Sequence, residues 1–141
     1  GVNYKKLMQA VMVLMGAGHL ALVQDDLVIS KAKKLTDRLN ALVIKKARSA
    51  GEVNYLASPV TGGGYGVGRF GQLFILALQQ GKRTPEEWAH FVWQLLATQG
   101  QRIQKDGATL HSEEENLAEL NTQAKEFSVK TLPILKALQI A

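Results

Sequence analysis

Apolar side chains recur along this chain with two periods, and glycine, proline and acidic turns cut the pattern into segments. Over residues 3–15, Leu7, Val11, Leu14 and Met15 recur at the spacing of one helix face, and Gly16 and Gly18 close the run. His19 to Val23 reads as a short strand, and Asp25-Asp26 as a turn. From Ser30, a plausible N-cap, Ala32, Leu35, Leu39, Leu42, Val43 and Ala47 gather on one side of a helix reaching residue 50, with Gly51 where a C-terminal cap belongs. Val53 to Ser58 reads as a strand. Residues 59–68 read as a loop, because five glycines among residues 62–68 cannot sustain a helix.

Helical spacing returns at Arg69, where Phe70, Leu73, Phe74, Ala77 and Leu78 share a face that Gly81 ends. Thr84-Pro85-Glu86-Glu87 is a capping-box start, followed by Trp88, Phe91, Val92, Leu95 and Leu96 at core spacing until Gly100. Asp106-Gly107 between two short runs predicts a tight hairpin. Ser112 to Glu115 is a second capping box, with Leu117, Leu120, Ala124 and Phe127 facing inward, and Pro133 opens a short last helix. The expected fold class is mainly α with a short β hairpin. The order from Ser30 is helix, strand, helix, tight turn, helix, hairpin, which is winged-helix-like, with extra N- and C-terminal helices. Residues 1–29 are assigned to the end of a preceding region and 30–141 to the winged-helix-like domain.

Composition narrows the function. A chain of 141 residues, 46% hydrophobic, can bury a core of its own. The absence of cysteine removes disulfides, zinc ribbons and thiol catalysis, and fits a cytoplasmic location. His19, His90 and His111 match no zinc spacing. No apolar run approaches the ~18 residues of a membrane span. Gly1 stands where an initiator methionine would be, and the following residues form no signal peptide, so an excised piece of a longer protein is expected.

The net charge of +5 is uneven. Residues 1–70 hold ten basic and four acidic side chains, and residues 71–141 hold seven and eight. Lys31, Lys34, Arg38, Lys45 and Arg48 form a candidate basic face on the first long helix. The helix from Glu86 to Gln99, which would enter a DNA groove, has two acids and neither Lys nor Arg. Sequence-specific DNA binding is therefore not expected.

The glycine-rich stretch is the candidate interaction loop: Ser58, Pro59, Thr61, Gly62, Gly63, Gly64 and Arg69. Its glycines lack the spacing of a dinucleotide or S-adenosylmethionine loop, and the Gly-Lys-Ser/Thr of a phosphate loop is missing. Arg69 at a helix start, beside free backbone N–H groups, is placed to hold a carboxylate or phosphate. No catalytic, cofactor-binding or metal-ligating residue emerges.

Three stretches carry a resemblance. Tyr55-Leu56-Ala57-Ser58-Pro59-Val60-Thr61-Gly62-Gly63-Gly64 and Arg69-Phe70-Gly71-Gln72-Leu73-Phe74 form the first. Gln99-Gly100-Gln101-Arg102 with Lys105-Asp106-Gly107 is the second, and Glu115-Asn116-Leu117-Ala118-Glu119-Leu120 the third. Over roughly residues 35–141 the chain resembles the C-terminal part of bacterial class I S-adenosylmethionine-dependent methyltransferases that carry a methyltransferase regulatory domain, a group that includes protein-lysine methyltransferases. The resemblance implies a parent enzyme with a catalytic domain in cis, S-adenosylmethionine as the parent's cofactor, and a protein substrate. It makes this chain a non-catalytic accessory domain for substrate docking or regulation. A domain-packing or homodimerisation module and a nucleic-acid-binding winged helix are the alternatives.

Two expectations follow. The isolated chain does not bind S-adenosylmethionine; stoichiometric micromolar binding in calorimetry would overturn this. Alanine at Gly63, Gly64 and Arg69 leaves the fold intact and reduces methyl transfer by the parent enzyme.

Overall fold

The computed structural model describes residues 25–141. The helix expected over 3–15, the strand over 19–23 and His19 lie outside the described residues. Within them the fold is mainly helical: α1 (Asp26–Ala47), α2 (Arg69–Gln79), α3 (Pro85–Thr98), α4 (Glu113–Glu126) and α5 (Leu132–Ala137). Two antiparallel sheets of two strands each accompany them, β1 (Tyr55–Ala57) with β2 (Gly64–Gly66) and β3 (Gln104–Lys105) with β4 (Ala108–Thr109).

The start of α1 differs from the expectation. Asp25 is its N-cap, accepting from the Leu27 N–H at 3.1 Å, and Ser30 lies inside the helix with its hydroxyl donating to the Asp26 carbonyl at 2.9 Å. A division between residues 29 and 30 would therefore cut a continuous helix. Gly51 is not its cap either. The last carbonyls are met from a distance, by the Arg69 guanidinium and by the Gln99 amide, which donates to the Arg48 carbonyl at 2.7 Å.

The buried face of α1 also differs. Ile29, Asn40, Ile44 and Ala47 turn inward, while Leu35, Leu39 and Leu42 are exposed. The cause is Asn40. Its amide both accepts from the Ala57 N–H (2.7 Å) and donates to the Ala57 carbonyl (2.8 Å), as a neighbouring strand would. That contact fixes the rotation of α1 and swings the leucines out.

The stretch expected as loop contains β2. Leu56 sits opposite Tyr65, and Tyr55 and Ala57 opposite Gly66 and Gly64. The first strand thus pairs with the glycine-rich stretch, not with the hairpin after α3. The chain reverses at Gly62, whose φ of +71° is costly for any side chain, with Gly62 N donating to Ser58 O at 3.0 Å.

The later elements follow the pattern closely. Both capping boxes form: the Glu87 carboxylate accepts from the N–H groups of Arg83 and Thr84, and Glu115 does the same at His111 and Ser112. Those N–H groups hold both carboxyls below the usual carboxylate range. Asp106 and Gly107 both have positive φ (51° and 80°), the geometry of a primed hairpin turn. Gly81 and Gly100 end α2 and α3 in the left-handed conformation. One junction was not expected: α4 runs through a π-helical stretch, Phe127–Thr131, directly into α5.

The core is centred on Phe74, Trp88 and Phe127, with ring centroids 5.5–6.4 Å apart and the Trp88–Phe127 pair edge-on at 87°. The Trp88 indole N–H donates to Lys82 O at 2.9 Å, so the ring is buried at no polar cost. Leu73, Leu120 and Leu135 pack around the rings.

Asn116 closes the second hairpin. Its Oδ1 accepts from Ile103 N (2.9 Å), and its Nδ2 donates to the carbonyls of Leu110 (3.0 Å) and Ser112 (2.7 Å). Asn116→Ala strands the Ile103 N–H and the Leu110 carbonyl at a fully buried site, while the Ser112 carbonyl keeps its helical bond from the N–H of residue 116. At about 1–3 kcal/mol per stranded group, partly relieved by water entry, the expected loss is about 3 kcal/mol. It is read as a lower urea midpoint at unchanged m-value.

Candidate functional site

The candidate loop is a hairpin turn anchored from below. Ser58, Pro59 and Val60 are buried. The Ser58 hydroxyl donates to Leu138 O (2.9 Å) and accepts from the N–H groups of Val60 (3.2 Å) and Thr61 (3.3 Å), tying the turn to the C-terminal segment. Thr61 accepts from Gly63 N at 3.3 Å. Gly63 and Gly64 are exposed, and a Cβ on either would make only ordinary contacts, 3.8 Å from Thr61 Oγ1 and 3.7 Å from Tyr55 Cβ.

Arg69 is turned onto the end of α1. Its Nε donates to Ala47 O (2.8 Å) and its Nη2 to Arg48 O (3.2 Å). The positive charge thus sits at the negative end of the α1 dipole. Partial burial pushes its pKa down from the ordinary arginine value. Its stem packs so closely on Gly51 that a Cβ there would be 3.2 Å from two of its carbons. Arg69→Ala would remove both of these donors and the packing on Gly51, so that substitution is not neutral for stability.

The basic face is a surface. Lys31, Lys34, Arg38, Lys45 and Arg48 are all exposed and form no ion pair among the described residues. Their neighbours Lys33 and Lys46 are the paired ones, with Asp37 and Glu52. His90 and His111 are exposed, Trp88 and Trp93 are buried, and Arg102 lies 5.1 Å over the Trp93 ring. Among the described residues no three His, Asp or Glu side chains group as metal ligands, and no helix is long and apolar enough to cross a membrane.

The feature that pattern reading missed is a groove of about 510 Å³ between the start of α2 and the α4–π junction. Phe70, Gly71, Phe74 and Phe127 give it an apolar floor, and Glu119, Gln123, Glu126 and Thr131 line its polar side. Glycine makes the room. A Cβ on Gly71 would lie 2.8 Å from Val67 Cγ1 and 3.3 Å from Phe127 Cε2, and Gly66 and Gly68 leave the wall bare. The carboxylate of Glu119 accepts from the Gln123 amide (2.8 Å) and from Lys105 (2.7 Å), and these contacts hold its pKa below the usual range. Glu126 pairs with Lys130 at 2.6 Å. The available signal was the Gly68–Gly71 spacing beside Phe70, because glycines on a helix face beside aromatic residues mark a close approach.

Two substitutions separate scaffold from groove. Arg69→Ala removes both charged donors from the end of α1 and costs about 1.5–3 kcal/mol in urea unfolding. Gly71→Ala costs about 1–3 kcal/mol through overpacking against Val67. Gly63→Ala and Gly64→Ala stay within about 0.5 kcal/mol of the parent.

No family model matches the chain. No solved structure matches it. Over all 141 residues the chain is 36% identical to the uncharacterized protein sll1526 of Synechocystis sp.. It spans 27% of that protein's length.

Proposed function

We propose that this chain is a non-catalytic accessory module of an S-adenosylmethionine-dependent methyltransferase, docking a protein substrate for a catalytic domain elsewhere in the parent protein. The observation that carries this reading is the groove. Two segments that resemble the methyltransferase family meet there, Phe70, Gly71 and Phe74 from one and Glu119 from the other. An aromatic floor beside carboxylates suits a side chain with an apolar stem and a cationic head, such as lysine or arginine. A match to roughly a quarter of a longer relative supports a module that works within a larger chain.

The finer fold reading belongs to the same proposal. α1, α2, α3 and the β3–β4 hairpin follow one another as in a winged helix, while β1 departs by pairing with β2. The parent's S-adenosylmethionine is assigned to the catalytic domain, and no residue of this chain is assigned to it. A second reading, a domain-packing module, is favoured by the exposed Leu35, Leu39 and Leu42. DNA readout draws no support, since α3 has neither Lys nor Arg.

The test uses the parent enzyme with radiolabelled S-adenosylmethionine. Replacing Glu126 by Lys together with Gln123 by Ala is expected to raise KM for the protein acceptor about tenfold, the equivalent of about 1.4 kcal/mol. KM for S-adenosylmethionine should not move. Unchanged acceptor kinetics would remove the groove from the docking role. A parent chain that transfers no methyl group would overturn the family reading.

A further inference from the structure

The two edges of the β1–β2 hairpin are finished differently. In an antiparallel pair, hydrogen-bonded and non-hydrogen-bonded residue pairs alternate. Ser58 N donates to Gly63 O and Val67 N to Asn54 O, both at 2.8 Å, so Ser58–Gly63 and Asn54–Val67 are bonded pairs. The register then makes Leu56–Tyr65 a bonded pair and turns the backbone groups of Ala57, Gly64 and Gly66 away from the partner strand. On the β1 side the Asn40 amide closes the edge at Ala57. On the β2 side the N–H and C=O groups of Gly64 and Gly66 form no hydrogen bond to another described residue. Both glycines are exposed. Proteins blunt such an open edge with lysine, proline or a bulge, and Gly64-Tyr65-Gly66 has none of these.

We propose that this edge takes an extended peptide segment as a third strand, and that the segment delivers a lysine or arginine side chain to the groove. The inference rests on the docking reading of that groove and states how the acceptor segment is held. The edge leads into the groove: Gly66, the last residue of β2, lines it together with Val67 and Gly68. Main-chain bonds to Gly64 and Gly66 supply affinity without regard to sequence, and the groove selects the side chain. Charge complementarity names that side chain. Glu119 and Glu126 are the charged residues of the groove lining, and Phe70 and Phe127 receive an apolar stem. Glu126 pairs with Lys130, but both are exposed, so an arriving cation exchanges into that pair at little cost.

The probe is a seven-residue peptide with a fixed central lysine, selected from a displayed library on the full chain and read by fluorescence anisotropy. Gly66→Pro removes an outward N–H that takes no part in the pairing with β1, and it should weaken binding about tenfold or more. Gly66→Ala keeps that N–H, and its Cβ would stand 3.8 Å from Tyr55 Cε1, an ordinary contact, so it should bind as the parent does. The peptide gives a reading that needs no variant of the protein. N-methylation of one alternate set of its amides should weaken binding about tenfold, while methylation of the other set leaves it nearly unchanged, because a strand pairs through every second residue on each side. Equal affinity of Gly66→Pro and the parent, or of both methylated peptides and the unmethylated one, would overturn strand addition. If Glu126→Lys with Gln123→Ala still weakens binding in that case, the groove reading stands. A peptide indifferent to those groove substitutions as well would remove both readings, and recovery of no binding peptide would overturn the proposal.

Discussion

Side-chain amides tie the two short hairpins of this protein to its helices, and the rest of the structure depends on that. A sheet of two short strands leaves the backbone groups of the residues beside it without a ladder, and Val67 and Ile103 among those residues are buried. A buried carbonyl or N–H without a partner costs more than an ordinary hydrogen bond returns. Asn40, Gln72 and Asn116, all buried, meet the need from the inner faces of three helices. Asn40 serves Ala57, Gln72 donates to the carbonyls of Val53 and Val67, and Asn116 serves Ile103, Leu110 and Ser112. Asn40 ties its helix to a strand, and Gln72 and Asn116 tie theirs to residues beside one, so each also sets the rotation of its helix.

That rotation explains the division of α1. Its apolar arc is wider than the domain covers, and hydrophobic contact alone would accept either half, because burial is not directional. The Asn40–Ala57 pair is directional. It selects the half with Ile29, Ile44 and Ala47 and leaves the leucine half outward. Arg69 reinforces the choice by holding the far end of α1. One helix therefore presents a packed face, an apolar seam that no described residue covers and a basic flank.

The parts legible in the sequence were those governed by local rules. Thr84 with Glu87, Ser112 with Glu115, and Asp106-Gly107 specify their turns within a few residues, and all three formed as expected. The parts that were not legible depend on partners far along the chain. Ser30 had the chemistry of a cap, but Asp25 was better placed. The leucines of α1 had core spacing, and Asn40, seventeen residues from Ala57, decided otherwise. β2 was hidden because glycine has little strand propensity, and only its partner across the turn makes it a strand. Ser58 and Arg69 had the residue types of an interaction site, yet their polar atoms serve Leu138, Ala47 and Arg48. Of the groove, only the Gly68–Gly71 spacing beside Phe70 was legible, since its walls come from segments about fifty residues apart.

The charge pattern sharpens what that groove can do. The chain is positive overall, yet the acids are concentrated on α4 and the start of α3, while α1 carries the excess of bases. Exposed charges act over roughly one Debye length, about 8 Å in physiological salt, so each face acts on its own. Glu119 is partly buried and stays ionised because Gln123 and Lys105 stabilise its charged form. A carboxylate held this way is pre-arranged, and little reorganisation is needed when a cation arrives. A cationic side chain seated on the Phe70–Phe127 floor would meet charge already in place, whereas α1 would repel the same group. The electrostatics thus set an acidic face on α4 and the start of α3 apart from the basic flank of α1.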